Sequence, residues 1–265
     1  MKNVVLLVHQ DPGQAARLQA ALDLTRALSG HLTVIDVTPF PLLFDQRAAM
    51  APVFMNDELE QEAENKARLQ HRLEAEEVSW RWQDLHDDFV PCLLAAAATA
   101  DVIVLNRKLD TASRPDMRSV TSSILTNSEA LIVAVDETCR ALAVGMPALI
   151  AWNGSEEAMH AMQRALPILS VASTVRIFQA GSLAEGAISA NDAAAYLSQH
   201  GIHADVAIAR NSKHIAADIC GAAEDLGAGY CVMGAFGHSG PGEVGMGGVS
   251  HDMLSDAPLP LMMAH

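Results

Sequence analysis

Seven glycines stand between Val232 and Ser250: Gly234, Gly237, Gly240, Gly242, Gly245, Gly247 and Gly248. They fall where a strand should end and a helix begin. Glycine at such a junction lets the main chain pass close to a ligand. The first amides of the following helix lack intrahelical acceptors, so they are donors for an anion. The chemistry on offer is therefore anion binding by backbone, phosphate above all. A ligand-free crossover is the plain alternative, because glycine punctuates loops routinely.

Two better-known phosphate motifs are absent. No lysine follows any of these glycines, so there is no GxxxxGK[ST] loop. Gly227-Ala228-Gly229 precedes a strand instead of joining strand to helix, so it is no dinucleotide fingerprint. His160, His200, His203, His214, His238 and His251 show no HExxH and no paired spacing with carboxylates, and read as surface or capping residues. Ser239 and Ser250 lack a Gly-x-Ser-x-Gly elbow. His9-Gln10-Asp11 reads as a remnant site or as a turn with Pro12, the turn being favoured. With no positioned base and no lysine clamp, the chain is expected not to be an enzyme.

The elements that must position the glycines alternate between strand and helix, twice over. In the first half, strands are expected at 4–8, 32–37, 78–85, 101–105 and 130–135. Helices are expected at 14–29, 57–77 and 90–100, with a further one before 130, and Gly30 sits where a helix C′ residue would. The second half repeats the grammar: strands at 148–152, 174–178, 204–209, 230–233 and 259–263. Its helices are expected at 155–169, 191–200, 215–226 and around 250–254. Such alternation implies α/β architecture with parallel, doubly wound sheets and helices on both faces. Two tandem domains follow, at 1–140 and 145–265, joined near 137–145.

Length and composition agree with this reading. A chain of 265 residues suits two domains of about 130. It is 50% hydrophobic and 18% charged, which excludes disorder, and at 4% aromatic its core must be aliphatic. The net charge of −15 argues against nucleic acid and against an anionic membrane as partners. Cys92, Cys139, Cys220 and Cys231 have no metal-like spacing and read as reduced, mostly buried thiols. With no signal-like start and no apolar run of membrane length, a cytoplasmic location is expected.

Gly234, two residues, Gly237, nine residues, Gly247 resembles the Gly-x2-Gly-x9-Gly motif of universal stress proteins. Its context agrees: Val232-Met233 before it, then Gly248-Val249-Ser250 opening a helix, then Ala257-Pro258-Leu259-Pro260. Ala151-Trp152-Asn153-Gly154-Ser155 resembles the family's first strand and turn. The resemblance is specific over 145–265 and architectural over 1–140. It implies five strands per domain in the order 3-2-1-4-5, a role in stress response, and dimers or tandem pairs. Here an intramolecular pair is expected, with a homodimer as a further option.

The resemblance also implies bound adenine nucleotide, ATP or AMP, with Mg²⁺ beside a triphosphate. The residues carried over are Asn153, Gly234, Gly237, Gly247, Gly248 and Ser250. Gly248 stands where ATP-binding members usually have Ser or Thr, and Asn153 stands where Asp is usual. From His214 to His265 there is no Lys or Arg, against Asp218, Glu224, Asp225, Glu243, Asp252 and Asp256. A triphosphate would have to rely on backbone amides and Mg²⁺. In the first half, Asn106-Arg107-Lys108-Leu109 and Ser119 replace the glycines, and no nucleotide site is expected there. A non-nucleotide-binding interaction module of the same fold is the alternative reading.

Overall fold

Strands covered on both faces must be apolar throughout, since neither set of side chains meets water. Apart from Asn3 and Asn106 at their ends, β1 (Asn3–Val8) and β4 (Val102–Asn106) meet that demand, as do β5 (Leu131–Val135), β6 (Ala148–Trp152) and β9 (Tyr230–Gly234). The computed structural model describes residues 1–37, 51–85, 88–107, 117–210, 213–235 and 248–265. The remaining elements of the first half are α1 (Gln14–Ala27), β2 (His31–Val37), α2 (Ala51–Glu74), β3 (Ser79–Leu85), α3 (Phe89–Ala97) and α4 (Met117–Asn127). Those of the second half are α5 (Glu156–Leu169), β7 (Val175–Ala180), α6 (Ala190–Gln199), β8 (Ala204–Ala209), α7 (Ile215–Leu226), α8 (Gly248–Asp256) and β10 (Leu261–Ala264).

Each half has the expected strand order, but the halves are not separate sheets. All ten strands form one sheet ordered β3-β2-β1-β4-β5-β10-β9-β6-β7-β8. Pairing is parallel within each half and antiparallel only at the seam, where Leu261, Met262 and Met263 face Ala134, Val133 and Ile132. The two fifth strands thus cover each other's open edge, which would otherwise present unpaired amides and carbonyls.

Two apolar layers flank this sheet, and both run across the seam. One gathers Leu6, Val133, Ile150, Trp152 and Met262; the other gathers Leu7, Ile132, Leu149, Leu261 and Met263. Ile132, Val133, Leu261, Met262 and Met263 are fully buried. Exposing them by parting the halves would cost on the order of 10 kcal/mol. Polar ties reinforce the seam. The N–H of Leu142 donates to Asp23 Oδ2 at 2.9 Å, the Tyr230 hydroxyl donates to the Val144 carbonyl at 3.3 Å, and Arg164 pairs with Glu129.

Helix ends follow local chemistry. Ser155 caps α5 by accepting the Ala158 N–H at 3.2 Å, and Glu156 and Glu157 in its first turn face the positive end of the helix dipole. At the end of α1 the left-handed residue is Ser29, at φ 46°, not the Gly30 expected from sequence. Gly30 is needed for a different reason: a Cβ there would lie 2.4 Å from the Lys2 carbonyl oxygen. That crowding leaves the left-handed turn to its exposed neighbour. Among the described residues no helix is long and apolar enough to cross a membrane.

The two positions should respond in opposite directions. Gly30→Ala should lower stability by about 1–3 kcal/mol through overpacking. Ser29→Gly should raise it by about 0.5–1 kcal/mol by relieving the left-handed strain. Urea denaturation midpoints of the two variants against the parent would check both signs.

Candidate functional site

The strand order reverses between β6 and β9, and the carboxyl ends of strands at such a switch point are where doubly wound folds place their ligands. Asn153, Gly154 and Ser155 leave β6 there, Gly234 closes β9, and Gly248 opens α8. The structure therefore brings Asn153 and Gly234 to one end of adjacent strands. Gly237 and Gly247 lie outside the described residues.

The turn after β6 is fixed by its own backbone. Gly154 takes φ 75°, and a Cβ there would lie 2.7 Å from the Ile188 carbonyl oxygen. The Trp152 indole N–H donates to that same oxygen at 2.9 Å. Asn153 is exposed, and its Oδ1 accepts the Ser155 N–H at 3.1 Å, an Asx turn that leads into the helix cap. Its side-chain amide faces solvent, neutral where a carboxylate would have repelled phosphate.

Gly234 has a structural reason to be glycine. A Cβ there would lie 2.5 Å from the Ala158 nitrogen and 2.7 Å from the Glu157 carbonyl carbon, because β9 ends against the first turn of α5. Gly248 differs: among the described residues nothing lies within 4 Å of where its Cβ would be, and the residue is exposed. The first amides of a helix have no intrahelical acceptors, so this exposed helix start suits an anion. Ser250, in the same turn, is buried. Glu157 is buried beside Gly234. Sequence reading passed over this carboxylate, because two Glu residues after a Ser cap look like ordinary dipole partners.

The corresponding end of the first half is closed by its own charges. Arg17, fully buried, donates from Nε to the Leu7 carbonyl at 3.0 Å and from Nη2 to the His9 carbonyl at 3.3 Å. Its Nη1 and Nη2 donate to the two oxygens of Asp11 at 3.1 and 2.6 Å. His9 Nε2 lies 2.8 Å from Asp11 Oδ2, and Asn106 Nδ2 donates to Asp11 Oδ1 at 3.0 Å. Burial alone would raise the Asp11 pKa, but the hydrogen bonds from His9 and Arg17 outweigh it and hold the carboxyl well below the usual carboxylate range. Asp11 also anchors the turn favoured from sequence, accepting the Gly13 N–H at 2.6 Å. Arg17 was missed, since nothing in its helical spacing sets it apart from a surface basic residue.

Glycine and side chain trade places between the halves. In the first, a Cβ on Gly13 would lie 2.6 Å from the Asn106 amide; in the second, the strand end is glycine and the helix side carries the bulk. Of the four cysteines, all free, Cys92 and Cys231 are buried while Cys139 and Cys220 are partly exposed. Burial pushes the Cys231 thiol up to about 12. Among the described residues no three His, Cys, Asp or Glu gather as a metal site.

Fold and topology define a class: tandem doubly wound α/β halves, fused through their fifth strands into one sheet. Neither family models nor curated proteins match the sequence. Solved structures do. A universal stress protein from Archaeoglobus fulgidus DSM 4304 superposes with a TM-score of 0.76 at 16% identity, covering 99% of this chain and 97% of its own. A functionally unknown protein from Pseudomonas aeruginosa PAO1 superposes at TM-score 0.60 and 15% identity, over 99% of this chain and 92% of its own. The chain thus has the fold of a full-length universal stress protein, and the resemblance noted in its glycines is met at the level of fold.

Two substitutions separate the halves. Asp11→Asn should cost about 3–5 kcal/mol near neutral pH by stranding the buried Arg17. The folded pKa of Asp11 is depressed, so its contribution is present above the unfolded value of about 4 and is lost as pH falls below it. Stability curves of parent and variant should therefore converge in acid. Gly234→Ala should cost about 1–3 kcal/mol in buffer without any nucleotide, measured by thermal unfolding.

Proposed function

We propose that the chain is a member of the universal stress protein family that binds an adenine nucleotide, ATP or AMP, through its second half and acts in regulation, not turnover. The observation that carries this reading is the exposed start of α8 at Gly248, uncrowded among the described residues and preceded by the Gly234, Gly237 and Gly247 spacing at the end of β9, beside the switch point. Amides at the start of α8 would meet phosphate, and the Ser250 hydroxyl lies in the same turn. The exposed amide of Asn153 would hydrogen-bond the sugar. Mg²⁺ would offset the charge of a triphosphate in a stretch with no Lys or Arg after Lys213. AMP, with fewer charges, suits this acidic half better than ATP. Four free thiols fit a reducing compartment such as the cytoplasm. The stress-response role rests on the structural likeness to the A. fulgidus protein.

One observation favours a second reading, an interaction module without nucleotide. Gly234 is demanded by the backbone of Glu157 and Ala158 and so needs no ligand to explain it.

Thermal unfolding with AMP, with Mg-ATP and with Mg²⁺ alone decides between them. A nucleotide at about one hundred times its Kd stabilises by about 2.7 kcal/mol. Gly248→Asp should keep the fold, since its side chain enters open space and its charge favours a helix start, yet weaken nucleotide binding at least tenfold. A flat response to both nucleotides, together with no nucleotide in the native mass spectrum, selects the interaction module.

A further inference from the structure

The second half has no Lys or Arg from His214 to His265, yet a guanidinium is buried against its last helix. It comes from the other half. Arg107, the residue after β4, is 4% exposed. Its Nη1 donates to the Met253 carbonyl of α8 at 3.3 Å, and its Nη2 donates to Asp136 Oδ2 at 3.2 Å. Its backbone N–H donates to the Val135 carbonyl at 3.0 Å, while its Nε has no hydrogen-bond partner among the described residues. The Met253 carbonyl already accepts the Ala257 N–H at 3.0 Å, so Arg107 takes its second lone pair. Asp136 is oriented in turn, accepting the Thr138 N–H at 3.0 Å and the Thr138 hydroxyl at 2.7 Å.

Among the described residues this tie has no counterpart on the other side of the seam. Ala235 holds the matching place after β9, and its N–H likewise donates to the end of a fifth strand, Ala264, at 2.9 Å. Having only a methyl group, it can donate no side-chain hydrogen bond to a helix of the first half. The connection therefore runs one way, from the first half to the helix that opens at Gly248. Met253 and Leu254 already bury α8 on the sheet. Apolar burial is non-directional and tolerates sliding and rotation, whereas two directed bonds from one rigid fork do not. A cation at the last turn also meets the negative end of the helix dipole.

We infer that Arg107 is a positioning residue for the second-half site: it fixes the last turn of α8 from the first half and so sets where the amides near Gly248 stand. The inference rests on the nucleotide-binding reading above for its functional part. The strut itself can be measured without nucleotide. Because α8 is a single short rod, freedom at its last turn is freedom at its first.

Wild type, Arg107→Met and Arg107→Lys provide the test. Lys keeps the charge but cannot serve two acceptors in fixed directions. Amide hydrogen exchange of residues 249–256 without nucleotide should be at least tenfold faster in Arg107→Met, with β6 and β7 unchanged, and intermediate in Arg107→Lys. The Kd for AMP, measured by calorimetry, should rise about tenfold in Arg107→Met. Equal protection of α8 in all three proteins overturns the strut. Faster exchange with an unchanged Kd overturns the positioning role. A wild type that binds neither AMP nor Mg-ATP refutes the nucleotide reading and the positioning role with it, and exchange alone then decides the strut. Should Arg107→Met fail to fold, Arg107→Lys carries both measurements.

Discussion

Three residue pairs across an antiparallel seam, Leu261 with Ala134, Met262 with Val133 and Met263 with Ile132, govern the rest of this molecule. They close the one edge of each five-stranded half that is apolar on both faces. Once closed, neither half has a core of its own, because both apolar layers run through the seam. The pseudo-twofold relation that results also lays α8 beside the end of β4. That contact lets a residue of the first half reach a helix of the second.

Within this symmetric frame the two strand-end crevices have opposite chemistry. The first is filled by the protein itself: Arg17, Asp11, His9 and Asn106 satisfy one another in a buried cluster. A guanidinium already neutralised by a carboxylate offers little to an incoming anion. At the second, the described strand ends carry Gly234 and the neutral, exposed Asn153. Burial therefore stabilises the first as a structural knot, while the proposed binding site lies at the second.

Much of the fold was legible because its demands are local. A strand buried on both faces must be apolar at every position, and 148–152 was recognised at its observed bounds, as was the half-exposed edge strand at 204–209. The Ser155 cap and the helical stripe over 215–226 are equally short-range signals. The glycine spacing was legible for the same reason, but the meaning of each glycine was not. Gly234 is glycine because α5 presses on it, and Gly30 because Lys2 does, contacts made by residues far away in sequence.

The sequence by itself determined two repeats of strand and helix, an aliphatic core, an acidic character and a glycine-rich junction, since all of these are set by neighbouring residues and by totals. Tertiary structure alone decided that the repeats share one sheet, that Asp11 is a buried anion, and that Arg107 belongs to α8. Those outcomes depend on pairs distant along the chain, such as Arg107 and Met253, whose meeting follows from the closure of an exposed edge and leaves no periodic trace in the sequence.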